Sequence, residues 1–134
     1  MAGYSETPLA AKLGIKSGSI VFPVNAPPDY AELIGDLPPK AKFVSRLSKV
    51  TSLVHIFETR KAVLAKSLKT YRDKVAADAM VWVSWPKKTS KVPTDITEDT
   101  IREIALPLGW VDVKVCAVTE VWSGLKLVVR KSLR

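Results

Sequence analysis

At 134 residues the chain is the size of one domain, and it is long enough to bury a core without a covalent staple. One cysteine and one histidine exclude a disulfide framework and a zinc site built from Cys and His, and the uncharged apolar runs are too short to span a bilayer. The net charge of +8 points to anionic partners, but the excess is spread evenly, +4 in residues 1–67 and +4 in residues 68–134, so neither half is a dedicated basic arm.

The start, Met1 to Glu6, has neither a basic segment nor an apolar one, so no secretory signal is expected and a reducing cytoplasm is the expected compartment. Thr7 to Gly14 reads as a short helix, with Thr7 as cap, Pro8 at the first helical position and Gly14 as stop. Ser19 to Val24 reads as a strand that ends at Asn25-Ala26-Pro27-Pro28. A short helix from Asp29 to Ile34 follows, with Asp29 as cap and Gly35 as stop. Lys42 to Leu47 reads as a second, poorer strand.

Val50 to Phe57 is β-rich and reads as a buried strand. Arg60 to Ala76 is the clearest helix. Leu64, Leu68, Tyr71 and Val75 form its apolar stripe, and Lys66, Lys69, Arg72, Asp73 and Lys74 face water. Ala79 to Trp85 reads as another buried strand. A helix over Asp95 to Leu106 starts at Thr94 or Thr97, with Ile101, Ile104, Ala105 and Leu108 on its apolar face. Its acids Asp95, Glu98 and Asp99 favour the positive end of that helix, or else pair with the lysines just before it. Trp110 to Thr119 reads as a long strand with Val111, Val113, Val115 and Ala117 on one face. After a turn at Glu120 to Gly124, a last strand over Leu125 to Arg130 alternates Leu125, Leu127 and Val129 against Lys126 and Arg130. A link this short implies antiparallel pairing.

This alternation predicts a single three-layer α/β, Rossmann-like domain over residues 1–134. About six strands are expected, mostly parallel, with a C-terminal antiparallel hairpin and the order 2-1-3-4-6-5 counted along the chain. The path resembles the second half of a class I methyltransferase-like fold. The text itself is similar to the bacterial domain-of-unknown-function family 3052. The similarity lies in Tyr4 to Lys16, Val83-Ser84-Trp85-Pro86-Lys87-Lys88, Asp95-Ile96-Thr97-Glu98-Asp99, Val111 to Val118 and Trp122-Ser123-Gly124-Leu125-Lys126. That resemblance implies the domain limits and no activity.

The methyltransferase analogy implies a glycine-rich turn after the first strand and an acid at the end of the second. Asn25 to Tyr30 has no glycine and two prolines, and Arg46, Leu47, Ser48 and Lys49 include no acid. No cofactor, S-adenosylmethionine or dinucleotide, is therefore expected.

The candidate site lies elsewhere. Val81 to Trp85 stops at Pro86, and Lys87, Lys88 and Lys91 follow within five residues. The loop leaving the carboxyl end of a strand is where open α/β sheets bind ligands. Ammonium groups beside a helix start suit a phosphate or a carboxylate. Trp85, with Trp122 on the same edge, would add a stacking surface or else pack in the core. His55, inside an apolar strand, reads as structural, as does Cys116 in its strand. Trp82 reads as core.

The function expected is a non-catalytic binding or regulatory module for an anionic small molecule or a protein. Its contact surface is Pro86 to Pro93, with Asn25 to Tyr30 beside it. The alternatives are an enzyme acting on a phosphorylated or carboxylated small molecule, with His55 or Asp95 as base, and a basic nucleic-acid accessory protein. No membrane partner and no metal are expected.

Overall fold

Two apolar periodicities, two residues in the strands and near 3.6 in the helices, build the domain. The computed structural model describes residues 8–134. The helices are α1 (Leu9–Leu13), α2 (Tyr30–Ile34), α3 (Lys61–Lys74) and α4 (Glu98–Ala105). The strands are β1 (Ile20–Val24), β2 (Lys42–Phe43), β3 (Leu53–Phe57), β4 (Met80–Pro86), β5 (Trp110–Ala117) and β6 (Trp122–Val129).

They form one six-stranded sheet in the order β2-β1-β3-β4-β6-β5. The pairs β1–β2, β1–β3 and β3–β4 are parallel, and β6 runs antiparallel to both β4 and β5. The sheet order and the closing hairpin are those expected. Two cores flank the sheet. Leu64 and Leu68 of α3 and Ile101 and Ala105 of α4 pack with Val54, Ile56, Val81, Val83, Leu125, Leu127 and Val129 on one face. Ala10 and Leu13 of α1 and Tyr30 and Ile34 of α2 pack with Val21, Leu53, Phe57 and Trp82 on the other.

Several elements depart from expectation: the third strand starts at Leu53, leaving Val50 68% exposed outside it, and the fourth helix starts at Glu98 instead of Asp95. The second strand stops at Phe43 instead of Leu47. The amides of Lys42 and Val44 donate to Ser19 and Val21 of the neighbouring chain segment. The next residue of β1 on that side is Pro23, which has no N–H to offer, so the ladder ends there. The fifth strand does not keep its four apolar residues on one face. Its register with β6 shifts between Asp112 and Lys114, and Val113 and Val115 are left 52% and 47% exposed. A bulge reverses the facing of every later residue. The last strand begins at Trp122, inside the expected turn, because Ser123 and Gly124 pair with both neighbours. Gly124 leaves room for the Trp82 ring, 3.2 Å from where a Cβ would stand.

Gly14 ends α1 in the left-handed conformation, at φ 84°. The expected cap Thr7 lies outside the described residues. Asp29 precedes α2 but makes no side-chain cap bond. Thr97 caps α4, its hydroxyl accepting from the Thr100 amide. Among the described residues no helix is long and apolar enough to cross a membrane.

Candidate functional site

The chain leaves β1 toward β2 on one side and reaches β3 on the other, so the topological switch point lies between the carboxyl ends of β1 and β3. Asn25 and Glu58 stand there, one residue beyond each strand. Asn25 is left-handed, at φ 55°, a conformation that asparagine tolerates. Its Nδ2 donates to Glu58 Oε1 at 3.4 Å. Glu58 Oε2 accepts from the backbone amides of Thr59 at 3.0 Å and Arg60 at 3.1 Å. The carboxylate is only 8% exposed, and both its oxygens are taken by this chain. Pro27 and Pro28 continue the β1 loop without amide donors.

Next to this lies the loop that leaves β4. The Lys87 amide donates to the Val121 carbonyl at 2.7 Å, which ties the loop to the β5–β6 turn. A 3-10 turn spans Lys88–Ser90, held by Ser90 Oγ donating to the Lys87 carbonyl at 2.7 Å. Lys91 then turns left-handed, at φ 62°. Lys88 and Lys91 are exposed and Lys87 is half-buried.

Trp85 does not share their surface. It is 8% exposed and belongs to the core on the α3–α4 face, the cluster that also holds Ile96. The stacking surface expected of Trp85 is corrected accordingly: strand alternation turns its ring inward. Trp122, opposite Pro86 in the register, lies on the other face with its ring edge-on to Phe57 at 5.1 Å. It lines a groove of about 380 Å³ together with Pro27, Asp29, Leu33, Glu120 and Val121.

The acids expected near the lysines have other work. Asp95 Oδ1 accepts from the Lys61 amide at 2.7 Å, so it caps α3 and not the helix that follows it. Thr94 Oγ1 donates to the Thr59 carbonyl at 2.6 Å, pinning the same linker to the end of β3. Glu98, Asp99 and Asp112 gather around the Arg102 guanidinium. That cluster raises the Arg102 pKa, through the Asp112 bond first, and lowers that of Asp112.

His55 is fully buried beneath this edge. Its Nδ1 is 2.8 Å from the Tyr30 hydroxyl and its Nε2 is 2.7 Å from Ser84 Oγ. A serine, a histidine and a phenol in line would suit nucleophilic catalysis, but Ser84 is itself 0% exposed and reaches no substrate. Burial holds the imidazole neutral, its pKa lowered to about 3, and pushes the Tyr30 phenol up. His55 lies in the core with both ring nitrogens paired, and Asp95 caps α3. Neither lines the groove. Cys116 is half-buried on the α1 face, and burial raises its thiol pKa.

No family model matches the sequence, and no curated protein matches it. Solved structures do. A SAM-dependent methyltransferase from Aquifex aeolicus superposes with a TM-score of 0.67 at 12% identity, covering 90% of this chain and 87% of that one. The fold is that of the Rossmann-like methyltransferases. The TehB-like SAM-dependent methyltransferase from Corynebacterium glutamicum matches with a TM-score of 0.53 at 12% identity, covering 96% of this chain and 91% of that one. The tRNA methyltransferase TrmK from B. subtilis matches at 0.57 and 11%, covering 94% and 67%.

A methyltransferase-like fold implies S-adenosylmethionine at the switch point. The residues present do not fit it. A nucleoside there needs a backbone that approaches closely and an acid ready to accept from a ribose. Here the β1 turn carries Pro27 and Pro28, and the segment that follows β2, residues 44–49, holds no acid. Glu58 was not singled out in the sequence, although an acid directly after a buried β run is a legible signal at the carboxyl edge of such a sheet.

Proposed function

We propose that this domain is a non-catalytic binding module on a methyltransferase-like scaffold, engaging an anionic partner at its carboxyl edge through the loop that carries Lys87, Lys88 and Lys91. The observation that carries the reading is the Asn25–Glu58 contact, which spans the switch point with the chain's own side chains. With that crevice spanned, the adjacent lysine loop, with Lys88 and Lys91 exposed, is the ligand-facing part of the edge. The similarity of the motifs around Trp85, Asp95 and Trp122 to family 3052 belongs to the same reading.

The test is a thermal-shift series with S-adenosylmethionine, nucleotides, sugar phosphates and carboxylates, on the wild type and on a Lys87→Ala/Lys88→Ala/Lys91→Ala variant. A ligand that binds only the folded state at 100 times its Kd adds about 2.7 kcal/mol. The expected result is no saturable shift with S-adenosylmethionine and a shift with an anionic ligand that the triple variant loses. Saturable stabilisation by S-adenosylmethionine would overturn the non-catalytic reading, and an anion shift retained in the variant would overturn the site.

A further inference from the structure

A second basic centre lies at the opposite edge of the sheet. The turns that precede β1, β3 and β4 surround a cavity of about 540 Å³, lined among others by Lys16, Ser19, Thr51, Ser52, Asp78 and Lys126. Lys126 reaches it from β6. Its cross-strand partner on the same sheet face is Lys114 of β5, which lies outside the lining but near enough to act on the Lys126 ammonium. Like charges directly opposite one another on a sheet repel. Lys16 adds a third.

Among the described residues none of Lys16, Lys114 and Lys126 pairs with a carboxylate. Asp78 is the one acid of the lining, and it forms no ion pair with them. Lys49 also lines the cavity, but its ammonium is committed to the carbonyls of Asp73 and Val75 at the end of α3. Burial depresses the Lys126 pKa first, and Lys114 and Lys16 depress it further. The same field favours an anion.

The hydroxyls of the lining are set as donors. Ser19 Oγ accepts from the Lys16 amide, Ser52 Oγ from the Ile20 amide and Thr51 Oγ1 from the Ser48 amide. Each acceptor lone pair spent on a backbone amide leaves the O–H to donate. A lining of ammonium groups and hydroxyl donors matches a ligand that presents only acceptor oxygens and more than one negative charge.

We propose that Lys16, Lys114 and Lys126, with the hydroxyls of Ser19, Thr51 and Ser52, form a phosphate-binding site at the amino edge of the sheet. It is separate from the lysine loop and does not depend on that loop's role. The ligand is a phosphate oxyanion, carried either by a phosphorylated small molecule or by a nucleic-acid backbone.

The experiment is titration with inorganic pyrophosphate, read by calorimetry and thermal shift against sodium chloride of matched ionic strength. The titration is made on the wild type and on the Lys87→Ala/Lys88→Ala/Lys91→Ala variant, which removes any binding by the lysine loop; saturable binding is expected to remain in that variant. Lys126→Met, which keeps the buried stem, is expected to weaken binding at least tenfold, with the fold checked by circular dichroism. Lys16→Gln, on an exposed turn, is the second variant should Lys126→Met not fold, and is expected to weaken binding in the same direction. A single-stranded oligonucleotide forms the second arm. Competition with pyrophosphate assigns the phosphate to a nucleic-acid backbone, and pyrophosphate binding without competition assigns it to a small molecule. A response no larger than that of sodium chloride, or one unchanged in the lysine variants, overturns the proposal.

Discussion

His55 shows how one buried side chain couples the sheet to its surroundings and to pH. A neutral imidazole has one donor and one acceptor, and Tyr30 of α2 and Ser84 of β4 satisfy both. His55 is also stacked against Phe57, with centroids 4.4 Å apart. The folded protein protonates this ring only near pH 3, whereas the unfolded chain does so near 6.5. On acidification the unfolded state therefore takes up the proton first. Stability that is complete above pH 6.5 is lost as the pH falls from there toward 3, at up to about 1.4 kcal/mol per unit. His55 is the chain's one histidine. Unfolding free energies from urea titrations at pH 7.5 and 5.0 should differ by roughly 2 kcal/mol in the wild type and by much less in His55→Gln. Equal slopes in the two proteins would mean that the ring is not held neutral.

At the scale of the element, boundaries follow local chemistry where the signal is local. The Thr97 hydroxyl caps α4 by accepting from the Thr100 amide at 3.1 Å, and Glu98 and Asp99 sit in its first turn. Thr97→Ala should cost about 1 kcal/mol, read as a lower urea midpoint with an unchanged slope. Thr97→Asn should recover most of it. A full-strength Thr97→Ala protein would place the helix start elsewhere. The sequence alone left Thr94 and Thr97 as equal candidates, because both precede acids. The structure separates them: the Thr94 hydroxyl donates to the Thr59 carbonyl, 35 residues away, and its oxygen accepts from the Ile96 amide ahead of the helix, whereas the Thr97 oxygen accepts from an amide of α4 itself. The same holds for β2 and β5. Pro23 shortens β2 from the neighbouring strand, and the bulge at Val113 is a property of the pair with β6, not of the run Val111 to Ala117.

For the whole molecule, two indole nitrogens tie the layers together. Trp82 Nε1 in the sheet donates to the Leu13 carbonyl at 2.9 Å, and Trp110 Nε1 donates to the Leu68 carbonyl at 3.3 Å. Leu13 ends α1, so its carbonyl has no partner inside the helix. Trp82→Phe keeps an aromatic ring but leaves that buried acceptor unpaired, which should cost about 1–3 kcal/mol before any cavity forms. Hydrogen exchange should then rise first in α1, because α1 is the element released. A uniform rise across the domain would instead mean that α1 unfolds only with the rest.

The sequence by itself determined the elements, their order in the sheet and the antiparallel hairpin. Those rest on periodicity within a dozen residues, on short links and on the handedness of crossovers, all of which are local. It also showed that the β1 turn has no glycine and two prolines, which are read directly. Only the tertiary structure decided what stands at the switch point. Asn25 and Glu58 are 33 residues apart in the chain, and no local pattern brings them into contact. The same holds for Asp95 capping α3 across 34 residues and for Lys16 meeting Lys114 and Lys126 across about a hundred. A site is a convergence of side chains from distant segments, and that is set by how the layers pack.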